Sequence, residues 1–546
     1  LIIKTFINPH NRVDKLLKKC KQDNPLFPHV VVIKEELSDS KLKGLYMKSN
    51  LLVAPSRGEG FGLPIGEAMR LGIPVITTGW GGQLDFVNKK NCWLIDYKFT
   101  PSQSHFALDQ SYWAEPCCDH LSKLLLEVFH SSDIDVLEKT QAAKEMTSSL
   151  TWDTVAKKNI RFVEDKLGHY DNSFIKLGCI STWDSKCGIA SYAKNLFRSF
   201  TKDFIVFTPF NLHDFGNSDT NIIPSWHMGK DNNCQNLIKE IKSSNINTLL
   251  IHFNYGFFEF SDLSNLIFYL KKESINVIIL LHSTTDPVDN KSKRLFYLKD
   301  ALQKCERILV HNIDDLNHLK KLNIIDNVCL LSHGIVDYEY KQKKNNFFYN
   351  LNKQKTISTF GFCLPNKGFS ELIWAVNILK ERGFKIKLNI FSAIYNDAYY
   401  WVYQDLVNLV DKLNLLDYVS IEGKYLETNE ILEKLSLSDC LFFPYQSSNE
   451  SSSAAVRMGL ATLKPIFVTP LEIFNDVSDL VNYIPGFSPN EIAKSIFSYY
   501  QLEKNISSGS NQQLKDNFQK IQDKRFSKVS FRLANIFKSL EINKSN

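Results

Sequence analysis

The feature that most limits the fold of this chain is a regular succession of short apolar runs and amphipathic helical segments. An apolar run at residues 30–33 precedes a helical pattern at 39–49, a second run at 51–55, a helix predicted to begin at Pro64 and a third run at 74–78. Apolar runs that alternate with helices in this way are typical of β-α-β units around a parallel sheet. The sequence therefore predicts an α/β fold built from Rossmann-like parallel-sheet domains.

The chain also repeats itself over a long distance. The segment 38–78 aligns with the segment 427–469, and this alignment places Glu59 over Glu450. A period of roughly 390 residues is far too long for a solenoid repeat, so it indicates two copies of a whole folded unit.

The segment between the two copies has strand patterns of its own. Its apolar runs lie at residues 174–181, 248–253, 276–283 and 307–312. Polar stretches at 168–173 and 340–354 predict linkers on either side. We therefore expect three domains, at residues 1–170, 175–340 and 350–546.

Composition narrows the class of protein. The net charge of +6 is small for 546 residues and the lysines are scattered, which favours a solvated surface over a nucleic-acid groove. No apolar run approaches the ~20 residues of a membrane helix. Eleven irregularly spaced cysteines indicate reduced thiols, so we expect a cytoplasmic protein whose weak basic balance permits transient contact with a membrane surface. Because the chain opens on an apolar run at Leu1, we also expect an N-terminal part to be missing.

The stretch from residue 56 to 69 carries the clearest chemical pattern. Gly58, Gly60 and Gly62 let backbone N–H groups turn inward, and the helix that follows adds the positive end of its dipole. Such a turn suits a diphosphate. Glu59 and Glu67 would repel phosphate, so hydroxyls of a sugar or ribose are their better partners. The alternative is a glycine turn followed by a surface glutamate.

Residues 55–86 resemble the donor-binding half of retaining, nucleotide-sugar-dependent glycosyltransferases, whose GT-B fold consists of two facing Rossmann domains. The resemblance implies that Glu59 acts at the donor sugar as a catalytic residue and that Glu67 holds the ribose. The backbone close to the sugar and diphosphate would belong to Gly60, Phe61, Gly62 and Leu63. Residues 79–86 resemble the next loop of these enzymes, with a simple turn as the alternative.

Residues 178–196 resemble the opening of the acceptor-side domain of the same family. The resemblance implies that Gly188 lets the backbone approach the donor phosphate at a helix N-terminus. It also implies that His282, at the end of a strand, faces the donor sugar as a second catalytic candidate. A histidine at a strand end is equally often structural, and His311 and His333 have similar placements with weaker claims.

Residues 358–376 resemble the first strand and loop of the family's donor-side domain, where Lys367 fits the lysine that meets the diphosphate. The arginine usual just upstream is missing, because Phe362 follows Gly361. Glu450 takes the place of the first glutamate, as the catalytic candidate of this copy. Met458 stands where the second glutamate should be, and methionine cannot accept ribose hydroxyls.

Three neighbouring side chains could compensate for that loss. Arg457 is a candidate phosphate ligand, and Ser451 and Ser453 offer hydroxyls at a helix start. A capped helix with a surface arginine is the alternative. The Asp-x-Asp spacing within residues 132–135 is interpreted as a helix cap, so no metal site is implied.

The resemblance implies a tandem GT-B glycosyltransferase, in which residues 175–546 form one unit and residues 1–170 form an extra donor-binding half-unit. Such an enzyme transfers a hexose from a nucleotide-diphosphate sugar to a hydroxyl of a glycan or lipid-linked glycan, with retention, in polysaccharide biosynthesis. We expect no cofactor, no metal and no nucleic-acid partner.

Two other interpretations stay open. The second unit could be a degenerate module that binds sugar or nucleotide, or the protein could be a sugar-nucleotide epimerase. The first copy lacks an acceptor domain and a diphosphate lysine, so we expect it to be inactive as it stands.

Overall fold

The computed structural model describes residues 1–6, 11–103, 111–168, 176–185, 187–198, 200, 204–210, 221–229, 234–338, 354–503 and 510–544. The chain divides into two compact units. Unit 1 comprises Leu1–Thr100 and Trp113–Glu164, and unit 2 comprises Pro101–Tyr112 and Asp165–Asn546. Unit 2 thus unites most of the second and third predicted domains, and the division into three domains stays a prediction. Both predicted linkers fall almost entirely outside the described residues.

Unit 1 begins with short strands that alternate with helices. Its strands are β1 (Ile2–Lys4), β2 (Val31–Ile33), β3 (Leu52–Ala54), β4 (Val75–Thr78) and β5 (Trp93–Ile95), followed by the pair β6 (Tyr97–Pro101) and β7 (Tyr112–Pro116). Its helices are α1 (Val13–Asp23), α2 (Asp39–Met47), α3 (Leu63–Leu71), α4 (Cys118–His130), α5 (Asp133–Ser148) and α6 (Trp152–Gly168). Strands β3, β4 and β5 form a parallel sheet, and β1 pairs in parallel with β2.

The core of unit 1 packs α3 against this sheet. Ile65 and Met69, one turn apart on α3, are buried with Val75 of β4 and with Phe86. The predicted cap at residues 132–135 is confirmed, because the Ser132 side chain accepts a hydrogen bond from the Asp135 N–H at the start of α5.

Unit 2 opens with a parallel sheet in the order β10-β9-β8-β11-β12-β13-β14. Its strands are β8 (Leu177–Ile180), β9 (Phe204–Pro209), β10 (Asn221–Trp226), β11 (Thr248–Phe253), β12 (Asn276–Leu281), β13 (Arg307–Val310) and β14 (Val328–Leu330). Its helices are α7 (Gly188–Phe197), α8 (Gln235–Ser243), α9 (Phe260–Lys272), α10 (Lys299–Lys304) and α11 (Ile313–Lys321). Every residue of β11 and β12 is buried, which explains their nearly continuous apolar sequences.

The second sheet of unit 2 is also parallel and has the order β17-β16-β15-β18-β19-β20. Its strands are β15 (Lys355–Phe362), β16 (Ile386–Ala393), β17 (Val419–Glu422), β18 (Cys440–Phe443), β19 (Ile466–Val468) and β20 (Asn482–Tyr483). The helices are α12 (Phe369–Glu381), α13 (Tyr400–Lys412), α14 (Thr428–Ser436), α15 (Ala454–Ala461), α16 (Pro489–Glu503), α17 (Ser510–Asp523) and α18 (Phe526–Lys544). The predicted α/β class with parallel sheets is confirmed.

One hydrophobic cluster joins both sheets of unit 2. It includes Leu250 and Leu309 of the first sheet, Leu441 of the second, and Phe526 at the start of α18. Helix α18 also contacts α7, because the Ser530 hydroxyl donates to the Leu196 carbonyl. The two sheets therefore share this cluster, and the second sheet has a further core cluster with residues of α12, α13 and α16. Among the helices that the structure describes, none is both long enough and apolar enough to cross a membrane.

Candidate functional site

The glycine turn of unit 1 lies between the carboxyl end of β3 and the start of α3. Gly62 has a φ of +92°, in the left-handed region, and is the N-cap of α3. The helix begins at Leu63, one residue before the predicted start at Pro64. The first N–H groups of a helix have no partner within it, so this turn presents free donors and a positive dipole end.

A second loop packs against this turn so closely that only glycine fits. The N–H of Gly82 donates to the Glu59 carbonyl at 2.9 Å. A Cβ atom at Gly82 would lie 1.9 Å from the Gly60 carbonyl oxygen. Residues 79–86 therefore form a loop that supports the glycine turn, which is more than the simple turn given above as the alternative.

Both predicted glutamates of unit 1 have accessible carboxylates. Glu59 is half-buried and Glu67, on α3, is exposed. The Tyr46 hydroxyl donates to Glu67 Oε2 at 3.2 Å, and burial together with Glu67 raises the pKa of Tyr46 to about 12. Within the described part of the chain, neither carboxylate pairs with a lysine or arginine. Both can therefore accept hydrogen bonds from a ligand.

Sequence reasoning missed Gln83 at this site. Its side chain is fully buried and donates from Nε2 to the carbonyls of Thr78 and Trp80, at 2.9 and 3.0 Å. Its Oε1 is a buried acceptor without a hydrogen-bond partner, next to the glycine loop at Gly81. The exposed side chains of Phe61 and Leu63 flank the turn.

In unit 2 the structure brings together two residues that came from separate motifs. Lys367 follows β15 and Glu450 follows β18, and Lys367 Nζ lies 3.9 Å from the Glu450 carboxylate. The same Nζ lies 4.0 Å from the centre of the Tyr445 ring. Burial would lower the pKa of Lys367, but Tyr445 and Glu450 outweigh burial and raise it, so the amine stays charged.

The side chains expected to compensate for Met458 are engaged within the protein. Ser453 caps α15 by accepting from the Val456 N–H at 3.3 Å. Arg457 is buried, pairs with Asp476, and donates to the carbonyls of His333 and Ser453 at 3.1 and 3.0 Å. It is therefore no surface arginine, and its role as a phosphate ligand stays a prediction. Met458 packs against the shared core.

Hydrogen bonds tie the loop around Glu450 to the first sheet of unit 2. The Ser283 hydroxyl donates to the Asn449 carbonyl at 2.6 Å, and Asn312 Nδ2 donates to the Ser451 carbonyl at 2.6 Å. The Ser451 hydroxyl donates to Asp315 Oδ1 at 2.7 Å. These three hydrogen bonds hold residues 449–451 against the carboxyl edge of the first sheet.

Four histidines meet at that edge, one from each of the neighbouring strands β11, β12, β13 and β14. They are His252, His282, His311 and His333, and the Tyr192 ring contacts all four. Sequence reasoning named three of them but missed His252 and Tyr192. The signal was available, because a histidine lies within or just after each of these strands.

The hydrogen bonds of the histidines determine their tautomers. His311 Nδ1 lies 3.0 Å from the Leu331 carbonyl, an acceptor, so this nitrogen carries the proton. His311 Nε2 must then accept from His282 Nδ1 at 3.3 Å, and His282 Nε2 from His252 Nδ1 at 2.9 Å. Both ring nitrogens of His282 thus have protein partners, and its predicted contact with a donor sugar stays a prediction.

Burial keeps this histidine chain neutral. It lowers the pKa of His252 to about 3 and that of His311 to about 4, and it lowers the pKa values of His282 and His333 well below the usual range.

Gly188 lies at the N-terminus of α7, as expected, and is exposed, with open space where a Cβ atom would be. Its predicted contact with a donor phosphate also stays a prediction.

Comparison with known proteins adds a family match. Residues 9–103 match the family model for glycosyl transferases group 1. The alpha-1,3/1,6-mannosyltransferase ALG2 of Kluyveromyces lactis is 32% identical over 131 residues, which are 23% of this chain and 22% of that protein. The match thus spans less than a quarter of that relative's length.

Solved structures show the same fold at low sequence identity. A glycosyltransferase from Rickettsia africae is 12% identical with a TM-score of 0.54, over 68% of this chain and 100% of that one. Sucrose-phosphate synthase from Thermosynechococcus elongatus is 11% identical with a TM-score of 0.53, over 67% and 99%. Anabaena HepE in complex with UDP is 10% identical with a TM-score of 0.51, over 67% and 100%. The predicted GT-B architecture is confirmed, while the extra half-unit stays a prediction.

Proposed function

We propose that this chain, which carries a glycosyl transferases group 1 domain at residues 9–103, is a glycosyltransferase. It transfers a hexose from a nucleotide-diphosphate sugar to a hydroxyl of a glycan or lipid-linked glycan, with retention of configuration. The observation that carries the proposal is the arrangement in unit 1, where the accessible carboxylates of Glu59 and Glu67 flank a glycine turn at a helix N-terminus. The proposal thereby departs from the expectation that this first copy is inactive as it stands, and the product analysis below decides between the two.

The glycine turn offers different binding groups to the diphosphate and to the sugar and ribose of the donor. Free N–H groups and the dipole of α3 attract the diphosphate. The carboxylates repel phosphate and accept from hydroxyls, which suits sugar and ribose. The resemblance to glycosyltransferases assigns the donor sugar to Glu59 and the ribose to Glu67. Tyr46, which donates to Glu67, positions that carboxylate.

In the proposed reaction the acceptor oxygen attacks the anomeric carbon on the face that the leaving diphosphate occupies. The bond between the anomeric carbon and the phosphate oxygen breaks through an oxocarbenium-like state, and the proton of the acceptor hydroxyl passes to the departing diphosphate. Preorganised N–H donors stabilise the departing diphosphate, an effect of about 3 kcal/mol for each well-placed donor. The proposal requires neither a metal nor a cofactor, which also stays to be tested.

Donor binding tests the proposal directly. We expect one of the UDP-, GDP- or dTDP-hexoses to bind the full chain, and Glu67→Gln and Glu59→Gln each to weaken that binding about 10- to 100-fold, because each loses a charge-assisted hydrogen bond. Isothermal titration calorimetry measures the affinity. Glu138→Gln, at an exposed glutamate of α5, is the matched control and should bind as the unaltered chain does.

Product analysis tests the reaction itself. Release of free nucleotide together with a glycoside of the donor's anomeric configuration is the expected result. Unchanged donor affinity in both variants would place the donor elsewhere and refute the site. A sugar epimerised without any acceptor would favour the epimerase interpretation instead.

A further inference from the structure

The second sheet of unit 2 carries a row of aromatic residues along its carboxyl edge. Tyr425 follows β17, Tyr395 follows β16, Phe362 ends β15 and Tyr445 follows β18. These four strands are neighbours in the sheet, so their carboxyl ends lie side by side. We call these four residues the aromatic edge. Ligands of open parallel sheets bind at this end of the strands.

Three of these rings form a partly exposed surface. The Phe362 ring lies 5.2 Å from the Tyr395 ring in an edge-to-face arrangement and 6.5 Å from the Tyr425 ring in a nearly parallel one. Tyr395 is 45% exposed and Tyr425 is 37% exposed. Contiguous exposed aromatic surfaces of this kind are typical of ligand-binding grooves and interaction sites.

The charges beside the aromatic edge are balanced, which disfavours an anionic ligand. Lys367 is paired with Glu450 at 3.9 Å, and Lys424 is paired with Glu422 at 3.2 Å. Lys434 is paired with the same Glu422 at 2.6 Å. A diphosphate would have to displace these carboxylates and would be repelled by them. The edge therefore suits a neutral ligand better than a nucleotide.

Glu450 supplies a polar rim to this surface. Its side chain is 65% exposed, and its charge lies close enough to Tyr395 to contribute to the raised pKa of that tyrosine, which is due first to burial. An exposed carboxylate next to aromatic faces offers acceptors for hydroxyls and an apolar surface for C–H groups. Sugar rings carry both kinds of group, on their rim and on their faces.

We propose that the aromatic edge of unit 2 binds a neutral saccharide chain. The rings of Phe362, Tyr395 and Tyr425 cover the apolar faces of the sugars, and Glu450 accepts from their hydroxyls. Sites of this kind combine mostly apolar walls with a few polar groups that set the orientation. This inference goes beyond the proposed function, because it assigns a second site and its ligand class, and it does not depend on the donor site of unit 1.

The test measures binding to the full chain. Calorimetry and saturation-transfer NMR are performed with mannotetraose and maltotetraose, with UDP and GDP, and with uridine and guanosine. We expect a tetrasaccharide to bind, and Tyr395→Ala and Phe362→Ala each to weaken binding about tenfold, which is the size of effect found when one aromatic stacking partner is removed. Tyr297→Ala, at a 60% exposed tyrosine between β12 and β13, is the control and should leave tetrasaccharide binding unchanged.

A third variant tests whether the charge of the aromatic edge determines its ligand. Phe362→Arg adds a cation beside Lys367 and removes an aromatic face, so it should weaken tetrasaccharide binding and strengthen binding of UDP or GDP. Because Tyr395 is 45% exposed, its variant stays informative even if Phe362→Ala destabilises the fold.

The outcomes are distinct. Absence of tetrasaccharide binding, or tetrasaccharide affinity unchanged in both alanine variants, overturns the inference. Binding of UDP, GDP or a nucleoside that weakens in those same variants overturns it in favour of a nucleotide site. Glu67→Gln, measured in parallel, reports only on the donor site of unit 1, so the two proposals fail independently.

Discussion

At the residue scale, burial shifts the pKa values of several ionisable side chains in unit 2. Asp315 accepts from Ser451 and Thr284, each at 2.7 Å, yet burial outweighs these hydrogen bonds and raises its pKa from 3.8 to about 6. The neighbouring His252 and His311 have the opposite shift, since burial lowers their pKa values. The carboxylate is therefore ionised at neutral pH, and burying this charge makes the folded state less stable than it would be with a neutral side chain at this position.

The sign of the pH dependence follows from proton uptake. Between pH 3.8 and about 6 the folded state holds a proton on Asp315 that the unfolded state has lost, so this residue's stabilisation is present at low pH and is lost as pH rises. The histidines act in reverse in the range below pH 6.5, because there the unfolded state binds more protons. Their contribution cancels when a variant is compared with the unaltered chain.

We predict that Asp315→Asn stabilises unit 2 increasingly as pH rises from 4 to 7. Asparagine keeps an acceptor oxygen for Ser451 and Thr284 but cannot ionise. The shift of about two pKa units corresponds to a gain of about 2 kcal/mol in the free energy of unfolding at pH 7 relative to pH 4, where the unfolded carboxyl is still partly protonated. Thermal unfolding measured at each pH tests this. Asp300→Asn, at an exposed aspartate of α10, should show no such trend, and a difference that falls with pH would contradict the prediction.

At the scale of elements, the donor site of unit 1 depends on the contact between two loops. The turn before α3 and the loop after β4 meet where Gly82 approaches the Gly60 carbonyl. A methyl group there would overlap a backbone oxygen that cannot rotate away. The position of Glu59 therefore depends on a glycine more than twenty residues away.

We predict that Gly82→Ala abolishes donor binding in unit 1, because a Cβ atom 1.9 Å from the Gly60 oxygen forces the loops apart. The matched control is Gly44→Ala on α2, outside the glycine turn, since a Cβ atom at Gly44 meets nothing within 4 Å. Calorimetric titration of the donor onto both variants measures the effect. Equal affinities for the two variants would show that the loop contact does not shape the site.

The length and composition of each strand explain which strands the sequence pattern predicted. Strands β11, β12 and β13 were predicted because their long apolar runs stand out from the surrounding polar residues. Strands β9, β10 and β14 were missed; β10 contains Pro224 and β14 has three residues, whereas β9 has six residues and ends at Pro209. Short or interrupted strands depend on their neighbours in the sheet more than on their own sequence.

The whole molecule consists of two compact units, and in unit 2 one hydrophobic cluster joins the two sheets. Phe526 is 2% exposed and lies in that shared core at the start of α18. Its ring contacts Tyr192 and His333 from the first sheet's domain, and it fills the space next to Gly334. Both sheets of unit 2 should therefore unfold together.

We predict two thermal transitions for the chain, and a lower midpoint for unit 2 alone in Phe526→Ala. Removing a buried aromatic ring costs about 3 to 5 kcal/mol. Differential scanning calorimetry resolves the transitions. Phe531→Ala, at a 65% exposed residue of the same helix, should leave both midpoints unchanged. Three separate transitions would instead mean that the two sheets of unit 2 unfold independently.

The sequence by itself determined the α/β class, the turn at residues 58–62 and the candidate pair Glu59 and Glu67, because these follow from local periodicity and local backbone chemistry. Only the tertiary structure decided which distant groups meet. It pairs Lys367 with Glu450. It also buries Arg457 against Asp476 and packs four histidines around the Tyr192 ring. The physical reason is that neighbouring strands in a parallel sheet come from remote parts of the chain, so the order of the strands, which no local pattern encodes, sets the partners of every residue at their ends.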